Sequence, residues 1–380
     1  MNMNMDKSQD LNFKTFTIDY RINRIDVREN MEIETKNKPW ISWGNVNNDY
    51  PQFLLQIKES SPVLSVCIDS KVNMSMGEGV EIEGIGNPMI NRYENLNELY
   101  YKLLYDFWTF GGWSLECIPN REGTGIESIY HIPFQNIRVG KKDYDEHDRE
   151  MDWFYYSEYW QLPVQNKRIT KFHGLDLTKR GEARQLYYWK QYTPSDNKHY
   201  PVTPYQAGIN AAVLEAEVFD WHKRNIATSL MPNLFVSLIG DPTPEEKESV
   251  YDELIRSYQG KNGQKVMLAF SNTAEERPEI QTISNQANDT FYTEVLQMCI
   301  QSILTSNQIS SPLLLGIQTF GSNPFSQNAD ELVVATKHML AMVIEPALRK
   351  INVAIENVLT LKYNRPVKIV NKLVVPNFAA

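Results

Sequence analysis

The residues of this chain that could do acid–base chemistry are carboxylates in a polar, strand-rich stretch. Two carboxylates facing each other across a groove can hydrolyse a glycosidic bond, and eight Trp and twenty Tyr could line such a groove. The candidate carboxylates are Glu116, Glu127, Asp143 and Asp145. Nothing in their spacing places two of them across one site. A carbohydrate-active hydrolase is therefore the weakest of the functions we consider.

The histidines and cysteines also lack the spacing that metal or nucleophile chemistry requires. The three histidines of the strand-rich region form no paired ligand motif and neighbour no nucleophile motif, so we expect satisfied surface or core side chains. They are His131, His147 and His173. The cysteines, Cys67, Cys117 and Cys299, are odd in number and far apart. This pattern predicts reduced thiols rather than disulfides or a metal site.

A glycine loop that binds phosphate is the remaining chemistry to consider. Gly77-Glu-Gly79 is followed by Gly84 and Gly86, but this is not a GxGxxG motif leading from a strand into a helix. The sequence contains no Walker Gly-Lys-Ser or Gly-Lys-Thr. We therefore expect a protein that is not an enzyme, that needs no cofactor or metal, and that leaves any ATP-driven work to another protein.

Composition indicates a folded, acidic protein large enough for two or more domains. Of its 380 residues, 42% are hydrophobic and 22% charged, and the net charge is −9. That charge argues against a protein that coats nucleic acid, although DNA could still slide past it. No apolar run reaches the ~18 residues of a membrane span, and no apolar segment follows the polar N-terminus. We expect neither a membrane span nor a secretory signal.

The charge is unevenly distributed along the chain. Residues 346–380 contain one acidic residue, Glu356, and a group of basic residues. The basic residues are Arg349, Lys350, Lys362, Arg365, Lys368 and Lys372. A basic end on an acidic body predicts either a solvated face or a contact with an acidic neighbour.

The N-terminal half is predicted to begin with helices. Residues 1–50 are polar and include an aromatic-rich end, and the first thirty-odd of them are expected to form an arm that orders on contact with a partner. Apolar positions at helical spacing predict helices over residues 52–76, with a new helix starting at Ser61-Pro62, and over Leu96 to Trp108. Gly111-Gly112 ends the second helical stretch.

Residues 113–203 carry mostly β signals. Short apolar and aromatic runs alternate with Gly, Asn and Asp turns. We predict strands over 113–118, 128–132, 137–139, 153–159 and 169–173.

The next hundred residues are organised as a long helix, a small insert and a second long helix. Thr203-Pro204 supplies an N-cap and a first-turn proline, so the first helix is expected to run for ~26 residues, or ~39 Å. The insert reads as β-α-β, with strands at Leu234 to Ile239 and Lys265 to Phe270 around a helix opened by Thr243-Pro-Glu-Glu246. The second long helix is predicted over Asn288 to Thr305.

A polar loop between two long helices follows. Ser310-Ser-Pro-Leu-Leu-Leu-Gly316 leads into the uncharged segment Gln318 to Asn328, where Gly321 and Pro324 exclude a helix interior. A helix with a late proline is then predicted over Ala329 to Leu361. We expect the loop to be a projection held by a rigid scaffold.

This order of elements resembles the portal proteins of tailed bacteriophages, of the HK97-like type. Gly260-Lys-Asn-Gly-Gln-Lys-Val-Met-Leu268 resembles the family's turn into its second clip strand, and Ile309 to Gly316 resembles its Val-Pro-Pro-x-Leu-Leu-Gly. Tyr130 to Val139 resembles its wing segment. The likeness spans about residues 50 to 370. It departs at Tyr200-Pro-Val-Thr-Pro204, where the family has Tyr-Gly-x-Ser-Pro.

The resemblance implies an α+β portal-type subunit. Its parts would be a mixed α/β wing, two long stem helices, a small β-α-β clip, a tunnel loop and a long wing helix. The chain ends soon after Arg365-Pro366, so we expect the family's helical crown to be absent or minimal. On this map the domains are 1–50 N-terminal arm, 51–203 wing, 204–230 first stem helix, 231–273 clip, 286–310 second stem helix, 317–328 tunnel loop and 329–380 wing helix and C-terminal strand.

The resemblance also implies a function and partners. The chain would form a homo-oligomeric ring of about twelve subunits at one capsid vertex, assembled in the host cytoplasm and retained in the virion. Double-stranded DNA would pass through the ring during packaging and ejection. The large terminase, a head–tail adaptor, and the major capsid protein or scaffold would be its protein partners.

Two groups of residues follow as candidate sites. An acidic cluster on the clip helix is expected to dock the terminase, and consists of Glu245, Glu246, Glu248 and Asp252. The uncharged tunnel loop is expected to touch DNA sterically rather than by ion pairs. Its candidate residues are Gln318, Phe320, Gly321, Asn323, Phe325, Gln327 and Asn328. The alternative is another phage structural protein, a head-completion adaptor or a capsid subunit.

Overall fold

The computed structural model of the chain describes residues 28–45, 47–141, 153–160, 168–178, 184–227, 234–239, 243, 249, 266–271, 286–316 and 329–375. Helices and strands are both abundant in these ranges. The predicted α+β class is therefore confirmed.

Three helices of the N-terminal half pack on one another, α1 (Tyr50–Ser60), α2 (Pro62–Met76) and α3 (Leu96–Phe110). The boundary between α1 and α2 lies where the sequence predicts it, because the Ser61 hydroxyl accepts a hydrogen bond from the Leu64 N–H at 3.2 Å. A capping box of Asn95 and Glu98 starts α3. Gly111, at φ +87°, ends it.

A six-stranded sheet lies beside these helices. Its strands are β4 (Gly112–Pro119), β5 (Ile126–Ile132), β6 (Ile137–Val139), β7 (Trp153–Tyr156), β8 (Thr170–Gly174) and β9 (Gln185–Lys190). Their order is β5-β4-β9-β8-β7-β6, and every neighbouring pair is antiparallel except β8 with β9. The predicted strand at 153–159 ends at Tyr156, and β9 was not among the strands predicted individually.

The segment before α1 is part of this domain rather than of an arm. Strands β1 (Glu32–Glu34) and β2 (Ile41–Trp43) form an antiparallel pair. Trp43 is fully buried and stacks on Tyr200 with ring centroids 4.6 Å apart. Within the predicted arm of residues 1–50, the described part therefore packs into the core.

Hydrogen bonds from Arg138 of β6 hold the segment before α1 against the sheet. Its buried guanidinium donates to Asn48 Oδ1 at 2.5 Å and to the Asn48 carbonyl at 2.9 Å, and it lies 5.0 Å from the centroid of the Trp160 ring. Burial lowers the pKa of Arg138 to about 10. Removing this side chain would leave the buried Asn48 oxygens without their cationic donor.

Two long helices follow the sheet in the chain, α4 (Ile209–Ala227) and α5 (Gln286–Ser306). They contact each other, and Trp221 stacks on Tyr292 with ring centroids 3.8 Å apart. α4 starts at Ile209, later than the predicted start at Thr203-Pro204, because Pro204 and Tyr205 form a turn and Gln206–Gly208 a 3-10 turn. The described helix is ~28 Å long, and residues 228–230 of the predicted helix lie outside the described residues.

Two parallel strands lie between these helices in the chain, β10 (Leu234–Ile239) and β11 (Val266–Ser271). Their register pairs Leu234 with Val266 and Val236 with Leu268. Parallel strands need a crossover connection, and most of the helix predicted between them lies outside the described residues.

The C-terminal helix is interrupted. It comprises α6 (Ala329–Met339), a π-helical segment (Leu340–Ile344) and α7 (Glu345–Tyr363), where the sequence predicts one uninterrupted helix. Pro346 has no N–H and crowds the carbonyl four residues earlier, and a wider π turn relieves that conflict. Strand β12 (Ile369–Asn371) then pairs antiparallel with β3 (Val80–Ile82).

The glycine, cysteine and histidine motifs have structural roles. Gly77, at φ +53°, ends α2 where a Cβ would overlap the Lys372 carbonyl oxygen. All three cysteines are buried free thiols, which confirms the predicted reduced state. His131 Nε2 lies 2.7 Å from Asp106 Oδ2, as expected for a satisfied side chain. His147 lies outside the described residues.

Candidate functional site

The residues predicted to contact the motor and the DNA lie outside the described part of the chain. The clip residues Glu245, Glu246, Glu248 and Asp252 and the tunnel loop Gln318 to Asn328 both fall there. What the structure describes is the scaffold at both ends of the loop and the helices that lead to it.

The residues on either side of the loop are held together by a capped turn and a hydrogen bond. Ser311 caps a short 3-10 helix, Pro312–Leu315, and Gly316 ends that helix at φ +67°. The Ser310 hydroxyl donates to the Ala335 carbonyl of α6 at 3.0 Å. Because Ser310 precedes the loop and Ala335 follows it, this bond ties the two ends of the loop to each other.

A buried ammonium group holds the end of α5. Lys71 of α2 is 1% exposed and donates to Asn307 Oδ1 at 2.6 Å. The Asn307 amide in turn donates to the Ile303 carbonyl at 2.9 Å, so one side chain bonds both the lysine and the last turn of α5. Lys71 Nζ also lies 4.7 Å from the centroid of the Trp108 ring.

Burial of the Lys71 ammonium group destabilises its charged form. Burial lowers the pKa of its ammonium to about 8. Placing a positive group at the C-terminal end of α5 compensates in part, because the carbonyl groups there carry partial negative charge. Lys71 and Asn307 were not singled out from the sequence. The signal available was a lysine inside the apolar helical pattern formed by Ile68 and Val72.

The first long helix is fastened to α2 in the same region. Glu215 of α4 is buried and accepts a hydrogen bond from the Ser61 hydroxyl at the α1–α2 junction. Burial raises the pKa of the Glu215 carboxyl, although the bond from Ser61 acts in the opposite direction. Both long helices are therefore joined to one helix of the domain by buried polar side chains.

The start of α4 passes close to the end of α5 at Gly208. A Cβ on this residue would overlap Ser306 Oγ and lie 2.8 Å from Ser306 Cβ. Gly208 directly precedes α4 and Ser306 is the last residue of α5. The glycine therefore allows the start of one helix to pass the end of the other.

We predict that Gly208→Ala lowers the free energy of unfolding by about 1–3 kcal/mol, because a methyl group has no room there. Chemical denaturation followed by circular dichroism would measure the change. Adding Ser306→Gly removes the opposing atoms and should restore part of the loss, despite about 0.5–1 kcal/mol of lost helix propensity. Simply additive effects of the two changes would contradict this explanation.

Exposed apolar side chains occur on the long helices. Val334 of α6 is 65% exposed, Met342 of the π segment 64% and Val353 of α7 61%. Phe219 of α4 and Met298 of α5 are exposed as well. Exposed apolar side chains mark a surface that another protein covers where they form a contiguous patch, and three of these five lie along the C-terminal helix, in α6, the π segment and α7.

Of the carboxylates considered for catalysis, the structure describes Glu116 and Glu127. Glu116 forms an ion pair with Arg184, whose NH2 group lies 3.0 Å from Glu116 Oε2. Glu127 is exposed, and Asp143 and Asp145 lie outside the described residues. Among the residues that the structure describes, no group of three or more His, Cys, Asp or Glu could hold a metal ion. Within the same ranges, no helix is both long and apolar enough to cross a membrane.

Comparison with known proteins gives no match in sequence, since neither a protein-family model nor a curated protein matches the chain. Solved structures do match its fold. A chain of the virion of the native gene transfer agent (GTA) particle has a TM-score of 0.54 and is 15% identical, over 85% of this chain and 84% of that chain. A chain of the neck of the native GTA particle, computed with C12 symmetry, has a TM-score of 0.54 and is 16% identical, over the same shares.

An HK97 family phage portal protein from Corynebacterium diphtheriae is 11% identical over 84% of this chain and 94% of that chain, with a TM-score of 0.41. At these identities the likeness is one of fold. The likeness to the two GTA chains, with TM-scores above 0.5, agrees with the fold that the resemblance stated from the sequence implies.

Proposed function

We propose that this chain is a portal subunit, which forms a homo-oligomeric ring at one vertex of a phage-type capsid and conducts double-stranded DNA. The observation that carries the proposal is the likeness of 85% of the chain to a chain of a particle neck computed with C12 symmetry. The order of the described elements, two long helices around a parallel strand pair and then a long C-terminal helix, supports it. The protein would reside in the virion after assembly in the host cytoplasm.

The parts of the subunit follow from this proposal. Helices α4 and α5 are the stem, strands β10 and β11 belong to the clip, and α6 and α7 are the wing helix. The clip carries the acidic residues Glu245, Glu246, Glu248 and Asp252 toward the large terminase and later the head–tail adaptor. The domain that contains the six-stranded sheet faces the major capsid protein or scaffold.

Native mass spectrometry tests the ring directly. The 44.1 kDa chain should assemble at micromolar concentration into one closed species of about twelve copies, without metal, nucleotide or reducing agent. A folded chain that remains monomeric would overturn the proposal. An open helical polymer would favour another phage structural protein, such as a capsid subunit.

The tunnel loop is proposed to retain DNA by contact. The segment Gln318 to Asn328 has two large apolar side chains, Phe320 and Phe325, and no Lys or Arg that could bind phosphate. Because Ser310 and Ala335 tie the loop ends together, shortening the loop should leave the scaffold intact.

We therefore predict that deleting Gly321 to Ser326 leaves ring assembly and DNA entry unchanged and reduces the retention of full-length DNA. Particles made with the deleted and the parent chains would be compared by the length of DNA that resists nuclease. A variant with the same six residues replaced by Gly and Ser controls for loop length. Equal retention by deletion and parent particles would show that the loop is only a connector.

A further inference from the structure

The exposed face of α5 has an unusual composition. No charged residue occurs between Glu294 and Asp330, in a chain of which 22% is charged. The exposed residues of α5 within this stretch are Gln297, Met298, Gln301, Ser302 and Thr305, and Gln308 follows the helix end. The other side of α5, with Cys299, Ile303 and Leu304, is buried against the rest of the subunit.

Two glutamines share one stripe of this face. Positions 297 and 301 differ by four residues, which places them within about 40° of each other around a helix of 3.6 residues per turn. We name Gln297 and Gln301 the glutamine row. The row runs toward the turn at Ser310, from which the chain continues into the loop.

The composition of this row does not suit a contact between subunits. Protein interfaces bury apolar and aromatic side chains at their centre, and the most exposed apolar side chains of the described helices, Val334, Met342 and Val353, lie on α6 and α7. Nor does the row suit tight nucleic-acid binding, which requires Lys or Arg against phosphates.

We infer that the glutamine row is the part of α5 that faces double-stranded DNA in the ring; this rests on the portal function proposed above. Amide groups donate and accept hydrogen bonds without a fixed charge. They can therefore exchange bonds with phosphate oxygens and water as the duplex moves. A lysine there would release counterions and hold the duplex, whereas a neutral row allows it to slide.

A lysine variant tests this inference. Purified rings of Gln297→Lys/Gln301→Lys would be mixed with a fluorescent linear duplex and with a closed circular duplex of the same sequence, which cannot thread a channel. The matched control is Gln56→Lys, an exposed glutamine of α1 in the same fold.

We expect the lysine rings to retain the linear but not the circular duplex, where the parent and the Gln56→Lys rings retain neither. Retention should fall at least ~10-fold between ~50 and ~200 mM salt, the change that two phosphate contacts give, because every subunit of the ring adds two lysines. Retention of both DNA forms, or no gain over the parent, would overturn the assignment. Loss of the ring in the lysine variant, with the control ring intact, would instead place the row in a subunit contact.

The outcomes separate this inference from the portal proposal. If the parent chain forms no ring, the proposed function itself fails. If the parent ring forms and the lysine variant behaves like the parent, only the placement of the glutamine row is wrong.

Discussion

Replacing Asn307 with leucine is expected to lower the free energy of unfolding of the subunit by about 3–5 kcal/mol, the cost of leaving a buried charge without its partner. Lys71 is almost fully buried, and Asn307 Oδ1 at 2.6 Å is the acceptor the structure gives its ammonium. Urea denaturation of variants at pH 7 would measure the change.

Two further variants separate the charge from the packing. Lys71→Met removes the ammonium and leaves only a neutral acceptor unpaired, which should cost about 1–3 kcal/mol. The double variant Lys71→Met/Asn307→Leu should be more stable than Asn307→Leu alone, because no charge is then stranded. Additive losses in this cycle would show that the contact between Lys71 and Asn307 is not the cause.

The pH dependence gives a second readout of the same contact. Because burial lowers the folded-state pKa of Lys71 to about 8 from 10.5, the unfolded chain binds more protons above pH 8, and this group's contribution to stability rises with pH. The deficit of Asn307→Leu should therefore shrink between pH 7 and 9.5. Cys67 and Glu215 act on the same cluster, but burial raises the pKa of both groups, that of Cys67 to about 12. A raised folded-state pKa makes a group's contribution to stability fall as pH rises, so neither group can mimic the trend.

Replacing Val334 and Met342 together with glutamate is expected to abolish the ring while leaving the subunit folded. Both side chains are mostly exposed in the isolated subunit, so the change should alter the subunit's own stability by no more than about 0.5 kcal/mol per site. In an assembled ring, each of the twelve interfaces would contain two unpaired carboxylates. Burying an unpaired charge at the core of a protein contact costs much free energy.

Size-exclusion chromatography with light scattering at micromolar concentration would separate ring from monomer, and far-UV circular dichroism would check the fold. Gln56→Glu adds one negative charge on exposed α1 and should leave the ring intact. Rings of unchanged mass in the double variant would show that α6 and the π segment face solvent, or another partner, in the assembly.

The local elements of the fold could be predicted because their signals are local. Ser61-Pro62 marks a cap and a first-turn proline, Gly111 permits a left-handed helix end, and the β10 strand at Leu234–Ile239 is apolar except for Ser237. For the same reason the resemblance to portal proteins could be stated from the order of elements alone.

What could not be predicted depends on contacts between distant residues. The close approach of Gly208 to Ser306 joins positions almost a hundred residues apart in the chain. The sheet order, with β9 inserted between β4 and β8, is a pairing that no turn signal specifies. Lys71 reads as an ordinary solvated lysine until Asn307 and Trp108 are brought to it.

Electron microscopy of the purified, full-length chain tests the central claim most directly. The portal account predicts class averages of a closed ring with about twelve-fold symmetry, an open central channel and a projecting end that contains β10 and β11. An antibody fragment against an epitope tag between those strands should decorate that end alone. Monomers, rings without a channel, or decoration around the wide rim would contradict the account.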